Sequence, residues 1–128
     1  MENTSSQRCI PDASLHRLLA LLADGACDDW ADITHASGTD ENFRTIAFVL
    51  HTHEQPTTLH DMDLGMLLRG LASLLNSEDP TTVLYAQALA SLLYKGQTEF
   101  ITDEDVSALA QSALFQKVIH PVGAERSF

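Results

Sequence analysis

TLHDMDLGMLLRGLASLLNSEDPTTVLYAQALASLLYKG, residues 58–96, is the stretch whose reading decides the fold class. It reads as two apolar helices joined by a tight turn. Thr58 with Asp61 three residues on has the form of a capping box, in which a hydroxyl and a carboxylate satisfy the N–H groups that open a helix. Leu64, Leu67, Leu68, Leu71 and Leu75 follow at helical spacing, and Met62, Met66 and Leu74 widen the stripe. Asn76, Ser77, Glu78, Asp79 and Pro80 end this helix and open the next. Asp79 suits the N-cap, and Pro80 suits the first helical position, where an N–H has no partner to lose. In the second helix only Gln87, Ser91 and Lys95 interrupt an otherwise apolar surface, and Gly96 ends it. A helix apolar nearly all round belongs in a core. Neither run reaches the roughly 20 apolar residues that a membrane span needs.

Working outward, LHRLLALLAD after Asp12 or Ser14 makes a first helix, with Leu15, Leu18, Leu19 and Leu22 inward and Gly25 as its stop. Residues 27–38, CDDWADITHASG, fit either a short helix started by Asp28 or an ordered loop. Thr39 caps a further helix with Asp40 and Glu41 in its first turn, where the macrodipole favours acids. Its inward face is Phe43, Ile46, Ala47 and Leu50, and Pro56 breaks it. After a brief connector, Thr102 and Asp105 form a second capping box, with Ile101 and Val106 as a hydrophobic staple. Val106, Leu109, Ala110, Ala113, Leu114 and Val118 then face inward, and Pro121 and Gly123 close the helix. The expected fold is therefore all-α: one domain of five to six helices, a bundle or stacked hairpins, over residues 12–120. A flexible arm (1–11) and a tail (121–128) flank it.

A chain of 128 residues with 45% apolar residues is long enough to bury one core without disulfide staples. Seven basic residues against eighteen acidic give a net charge of −11. That charge opposes direct binding to nucleic acid or to an anionic membrane, which both demand positive surface. The N-terminus has no apolar run of the secretory-signal type. With Cys9 and Cys27 alone, a disulfide framework is not expected, and a reducing, cytoplasmic setting is. Few lysines beside many Ala, Leu, Asp and Thr residues are compatible with a bacterial source.

Chemistry-bearing residues concentrate in two places. HTHEQPTTLHDMD, residues 51–63, offers His51, His53 and His60 with Glu54, Asp61 and Asp63, the donor types of a zinc site. The spacing argues against one: His51 and His53, two apart on a helix, point to different sides. No metal and no cofactor is expected. Residues 24–41 hold Asp24, Asp28, Asp29, Asp32, Asp40 and Glu41 around Trp30, with no Lys or Arg. Such a segment is an acidic contact surface with an aromatic anchor, or acids facing water over a core tryptophan. Cys27 near His35, and Tyr94 beside Lys95, are the nearest approaches to a catalytic pair; no phosphate-binding glycine loop is present.

The expected function is non-enzymatic protein binding: an adaptor, or a secretion-type chaperone that holds or regulates another protein. The expected contact residues are Asp28, Asp29, Trp30 and Asp32, with Met62 and Met66 as an adaptable apolar strip. The partner is a protein with a basic surface, and a homodimer is compatible with the apolar stripes. The competing reading is an acidic inhibitor or immunity protein that blocks a basic site on a nucleic-acid-acting protein.

Overall fold

The computed structural model describes residues 9–39 and 41–115. The elements run α1 (Asp12–Ala23), β1 (Ala31–Thr39), β2 (Asn42–Thr52), β3 (Leu59–Asp63), α2 (Leu64–Leu75), α3 (Pro80–Lys95), a short 3-10 turn (Thr98–Phe100) and α4 (Asp103–Phe115). Four helices thus share the fold with a three-stranded antiparallel sheet of order β1-β2-β3. The all-α expectation, a bundle of five to six helices, is overturned. The residues from Thr39 to Leu50 that read as a helix lie in the β1–β2 hairpin, and the Thr58–Asp61 capping box lies at β3.

The physical reason lies in β2. Ile46, Ala47, Phe48, Val49 and Leu50 are five apolar residues in a row, which satisfy both helical and alternating patterns. Phe43, Thr45, Ile46, Phe48 and Val49 are β-branched or aromatic, and these stiff side chains pack well on a pleated surface. Burial follows the period of two: Ile46, Phe48, Leu50 and Thr52 are buried, while Ala47, Val49 and His51 are half-buried. Gly38 accommodates the register shifts near the end of β1 with φ of 88°, and a Cβ there would stand 2.4 Å from the Thr45 carbonyl oxygen.

α2 starts five residues later than the Thr58 capping box suggested. Thr58 instead bonds back across the loop, its N–H donating to Thr52 Oγ1 at 2.9 Å. Asp63 is the N-cap, accepting from the Met66 N–H at 2.9 Å.

The signals at α3 and α4 hold, whereas α1 opens after Pro11 with no side-chain cap from Asp12 or Ser14. Asp79 caps α3 by accepting from the Thr81 N–H at 3.2 Å, with Pro80 in the first turn. Gly96, at φ 71°, closes it while the Gln97 N–H bonds the Leu92 carbonyl at 3.0 Å. At α4 the Thr102 N–H donates to Asp105 Oδ2 at 2.9 Å, and the Asp105 N–H to Thr102 Oγ1 at 3.4 Å. The arm and tail expectations fall largely on residues 1–8 and 116–128, outside the described residues, as does Val118.

One face of the sheet carries Ile46, Phe48, Leu50 and Met62 into a core shared with Leu15, Leu18 and Leu22 of α1, Leu67 and Leu71 of α2, and Leu109 of α4. Gly70 is the close approach between α2 and α4: a Cβ on it would lie 2.0 Å from the Leu109 carbonyl oxygen. Leu89 and Leu93 of α3 are buried, and Ser14 of α1 donates its hydroxyl to the Leu93 carbonyl at 2.7 Å. Yet α3, the longest helix among the described residues, buries only Ala86, Leu89 and Leu93.

Candidate functional site

The opposite face of the sheet is the candidate site. Strand register builds it in three rows: Asp32–His51–Leu59, Thr34–Val49–Asp61 and Ser37–Ala47–Asp63. These residues alternate with the buried set of β2 and point away from the core. Every one is exposed or half-buried, so no described helix covers them. The middle strand offers half-buried Val49 and Ala47 beside His51, and Leu59 on the flanking strand β3 is 63% exposed. Asp32, Asp61 and Asp63 stand on the two flanking strands.

No Lys or Arg opposes these acids from the sheet. β1 and β3 carry none, and Arg44, the one cation of β2, lies on the other side, bonded to Asp12 of α1 at 2.5 Å and over the Phe43 ring. Two histidines take partners at the acidic face: His53 Nε2 lies 3.1 Å from Asp32 Oδ1, and His51 Nε2 3.1 Å from Thr34 Oγ1. Asp28 and Asp29, both exposed, precede Asp32 on the turn that leads into β1. The result is a strip, uncovered by any other described residue, with Val49 and Ala47 in its middle and acids at its margins.

The sequence-expected contact residues separate. Asp28, Asp29 and Asp32 are exposed, as a contact surface requires. Trp30 is 2% exposed, and its Nε1–H donates to Ser107 Oγ of α4 at 2.9 Å; its ring meets Phe115 edge-on. Met62 is fully buried on the core face of β3, and Met66 is half-buried on α2. Trp30 and Met62 therefore present no surface in this chain, and the apolar component of the strip is Val49, Ala47 and Leu59 instead. Alternation within β2 is the signal that finds them, once residues 42–52 are read as a strand.

The histidines are also distributed. His60 sits on the core side, 3.1 Å from Thr58 Oγ1 and edge-on to Phe115, whereas His51 and His53 belong to the outer side. Among the described residues, no three His, Cys, Asp or Glu side chains converge as a metal would require.

Cys27 is buried, and that burial, with Asp28 and Asp103 adding to it, pushes its thiol up to about 12. His35 is engaged with the Gly38 carbonyl at 3.0 Å. A buried thiol held neutral is a poor nucleophile. Native protein titrated with a chromogenic disulfide at pH 8 should release one fast equivalent, from exposed Cys9, and a second only in denaturant. Two fast equivalents would show that Cys27 is accessible. Because its folded value lies above the ordinary 9.0, the stabilisation from this thiol is complete below about pH 9 and is lost as pH rises towards 12.

No protein-family model matches the chain, and neither a curated protein nor a solved structure is similar to it. No described helix is long and apolar enough to cross a membrane.

Proposed function

We propose that this protein is a non-enzymatic protein-binding module, an adaptor or a chaperone of the secretion type, that holds an extended, basic and apolar segment of a partner on the outer face of its sheet. The observation that carries this reading is the face itself: an antiparallel sheet that no other described residue covers, with Val49, Ala47 and Leu59 at hand, Asp32, Asp61 and Asp63 at its margins, and no Lys or Arg on it among the described residues. An apolar strip left open to water is a recognition surface in want of a cover. The acids select a partner by sign and speed its approach more than they strengthen the final complex. The apolar middle favours holding a segment over the purely electrostatic blocking expected of an antagonist. A reducing, cytoplasmic setting belongs to the same proposal, and a cysteine content limited to Cys9 and Cys27 supports it.

The test uses a defined probe, an octapeptide of alternating lysine and leucine, with alternating glutamate and leucine as the control. The lysine peptide should bind and the glutamate peptide should not. Asp32→Lys with Asp61→Lys, both at exposed positions, should leave the circular dichroism spectrum unchanged. The double variant should bind the lysine peptide about tenfold more weakly at low salt, the gap narrowing as salt rises. Equal binding of both peptides, or an unchanged affinity in the variant, would remove the sheet face from the account.

A further inference from the structure

We infer that the outer face of α3 is the contact between two copies of this chain, packed antiparallel across a two-fold axis beside Ala88. The first observation is exposure. Of six exposed large apolar side chains among the described residues, five lie on α3 or the segments flanking it: Leu75, Leu84, Tyr85, Tyr94 and Phe100. Leu84 is 66% exposed, the highest of the set, and with Ala88 and Ser91 it lies on the side of α3 opposite Ala86, Leu89 and Leu93, with Tyr94 at the edge of that side. Tyr85 is committed elsewhere, its hydroxyl donating to Asp105 at 2.6 Å.

The second observation is a groove of about 310 Å³ between the end of α2 and α3, lined by Leu75, Gln87, Ala90, Ser91, Tyr94 and Lys95. A two-fold axis makes an interface self-complementary: what one copy offers, the other must receive. With 1.5 Å of rise per residue, Leu84 stands about 6 Å from Ala88 towards one end, and Ser91 about 4.5 Å towards the other. An antiparallel pair crossing beside Ala88 therefore brings Leu84 of each copy over the groove around Ser91 and Tyr94 of its mate. Ala88 at the crossing lets the two backbones approach.

Charge selects a second copy as the occupant. A chain of net charge −11 repels itself wherever acids face acids. Residues 80–98 hold no Asp or Glu, so two α3 faces meet without that penalty. The one cation on the helix then has a partner. Lys95 lies about 10.5 Å from the axis and Asp79 about 13.5 Å on the other side, so each exposed Lys95 reaches the Glu78–Asp79 corner that opens the partner's α3. This contact lies on α3, not on the sheet, and it stands or falls independently of the proposed partner site.

Light scattering on the full chain, from micromolar to about 100 micromolar, reads the state directly. Twice the chain mass is expected at the upper end, falling towards the single mass on dilution, as suits one helix face per copy. Leu84→Glu should weaken the dimer at least about tenfold with unchanged circular dichroism. Lys95→Glu should weaken it, and adding Glu78→Lys should restore it. In a Cys9→Ser background, Ala88→Cys should form a disulfide-linked dimer under mild oxidation, an outcome that depends on the crossing point alone. A chain that stays monomeric at 100 micromolar overturns the inference. So does a dimer insensitive to Leu84→Glu, or one whose Ala88→Cys form does not cross-link.

Discussion

Gly70→Ala should destabilise the fold by about 2 kcal/mol or more, although the same change on an open helix surface gains close to 1 kcal/mol. The reversal comes from where Gly70 sits. A Cβ there would lie 2.0 Å from the Leu109 carbonyl oxygen, 2.9 Å from its carbon and 3.2 Å from the Ala113 nitrogen. All three are backbone atoms of α4, which no side-chain rotation can move aside. α2 and α4 must separate, and the loss of packing around Leu67, Leu71 and Leu109 outweighs the propensity gain. Gly65, in the first turn of the same helix, is the internal control. Its Cβ would meet only Asp63 Oδ1, at an ordinary 3.5 Å. Gly65→Ala should therefore stabilise, by at most about 1 kcal/mol. Urea unfolding of the two variants decides the matter: shifts of opposite sign are expected, and shifts of the same sign would show that α2 and α4 are not in contact at Gly70.

Trp30→Ala should cost about 3–5 kcal/mol, the range for truncating a large buried aromatic, which is a large part of the 5–15 kcal/mol that holds a typical domain together. The indole fills the space between the turn before β1 and α4. It donates to Ser107 Oγ at 2.9 Å, where the Gln111 side-chain N–H also donates at 3.1 Å. Trp30→Phe keeps most of the ring and loses the donor, and Ser107 keeps Gln111, so it should cost only about 1–3 kcal/mol. Because Trp30 is the only tryptophan, unfolding must be followed by circular dichroism and not by intrinsic fluorescence. A Trp30→Ala variant within 1 kcal/mol of the parent would mean that the ring is at the surface, which would return it to the list of contact residues.

How far the fold is legible in the sequence depends on whether a local signal has one reading or two. α3 has one reading, because Asp79-Pro80 at its start and Gly96 at its end are tied to helix termini by unpaired backbone groups and by a left-handed φ. α4 is equally plain at Thr102 and Asp105. β2 has two readings. Phe43, Ile46, Ala47 and Leu50 match one helix face, and Ile46, Phe48 and Leu50 match one strand face. Only β-branched content tilts the choice, and weakly, because strand preference is set by neighbours that the chain has yet to meet. Thr58 and Asp61 show the same ambiguity in miniature. The spacing is that of a capping box, but the hydroxyl of Thr58 lies 2.9 Å from Thr52 Oγ1, six residues back across the β2–β3 loop, a contact that no capping pattern encodes.

The candidate site followed from the same ambiguity. Its acids were visible: Asp28, Asp29 and Asp32 stand in a segment without cations. Its apolar part was not, because a helical reading spends Ala47 and Val49 on the core and makes Met62 and Met66 the free strip. In the strand, Met62 turns inward opposite Phe48 while Val49 turns outward opposite Asp61. One change of period thus exchanges the buried and exposed sets.

The central claim is that a basic, apolar segment lies on the outer face of the sheet. Backbone amide shifts, recorded while the alternating lysine–leucine peptide is titrated into isotope-labelled protein, test it residue by residue. The account predicts that the largest saturable shifts cluster at Asp32, Thr34, Val49, His51 and Asp61, with α3 around Leu84 and Ala88 undisturbed. Shifts concentrated on α3 or along α1, with the three strands unmoved, would contradict it.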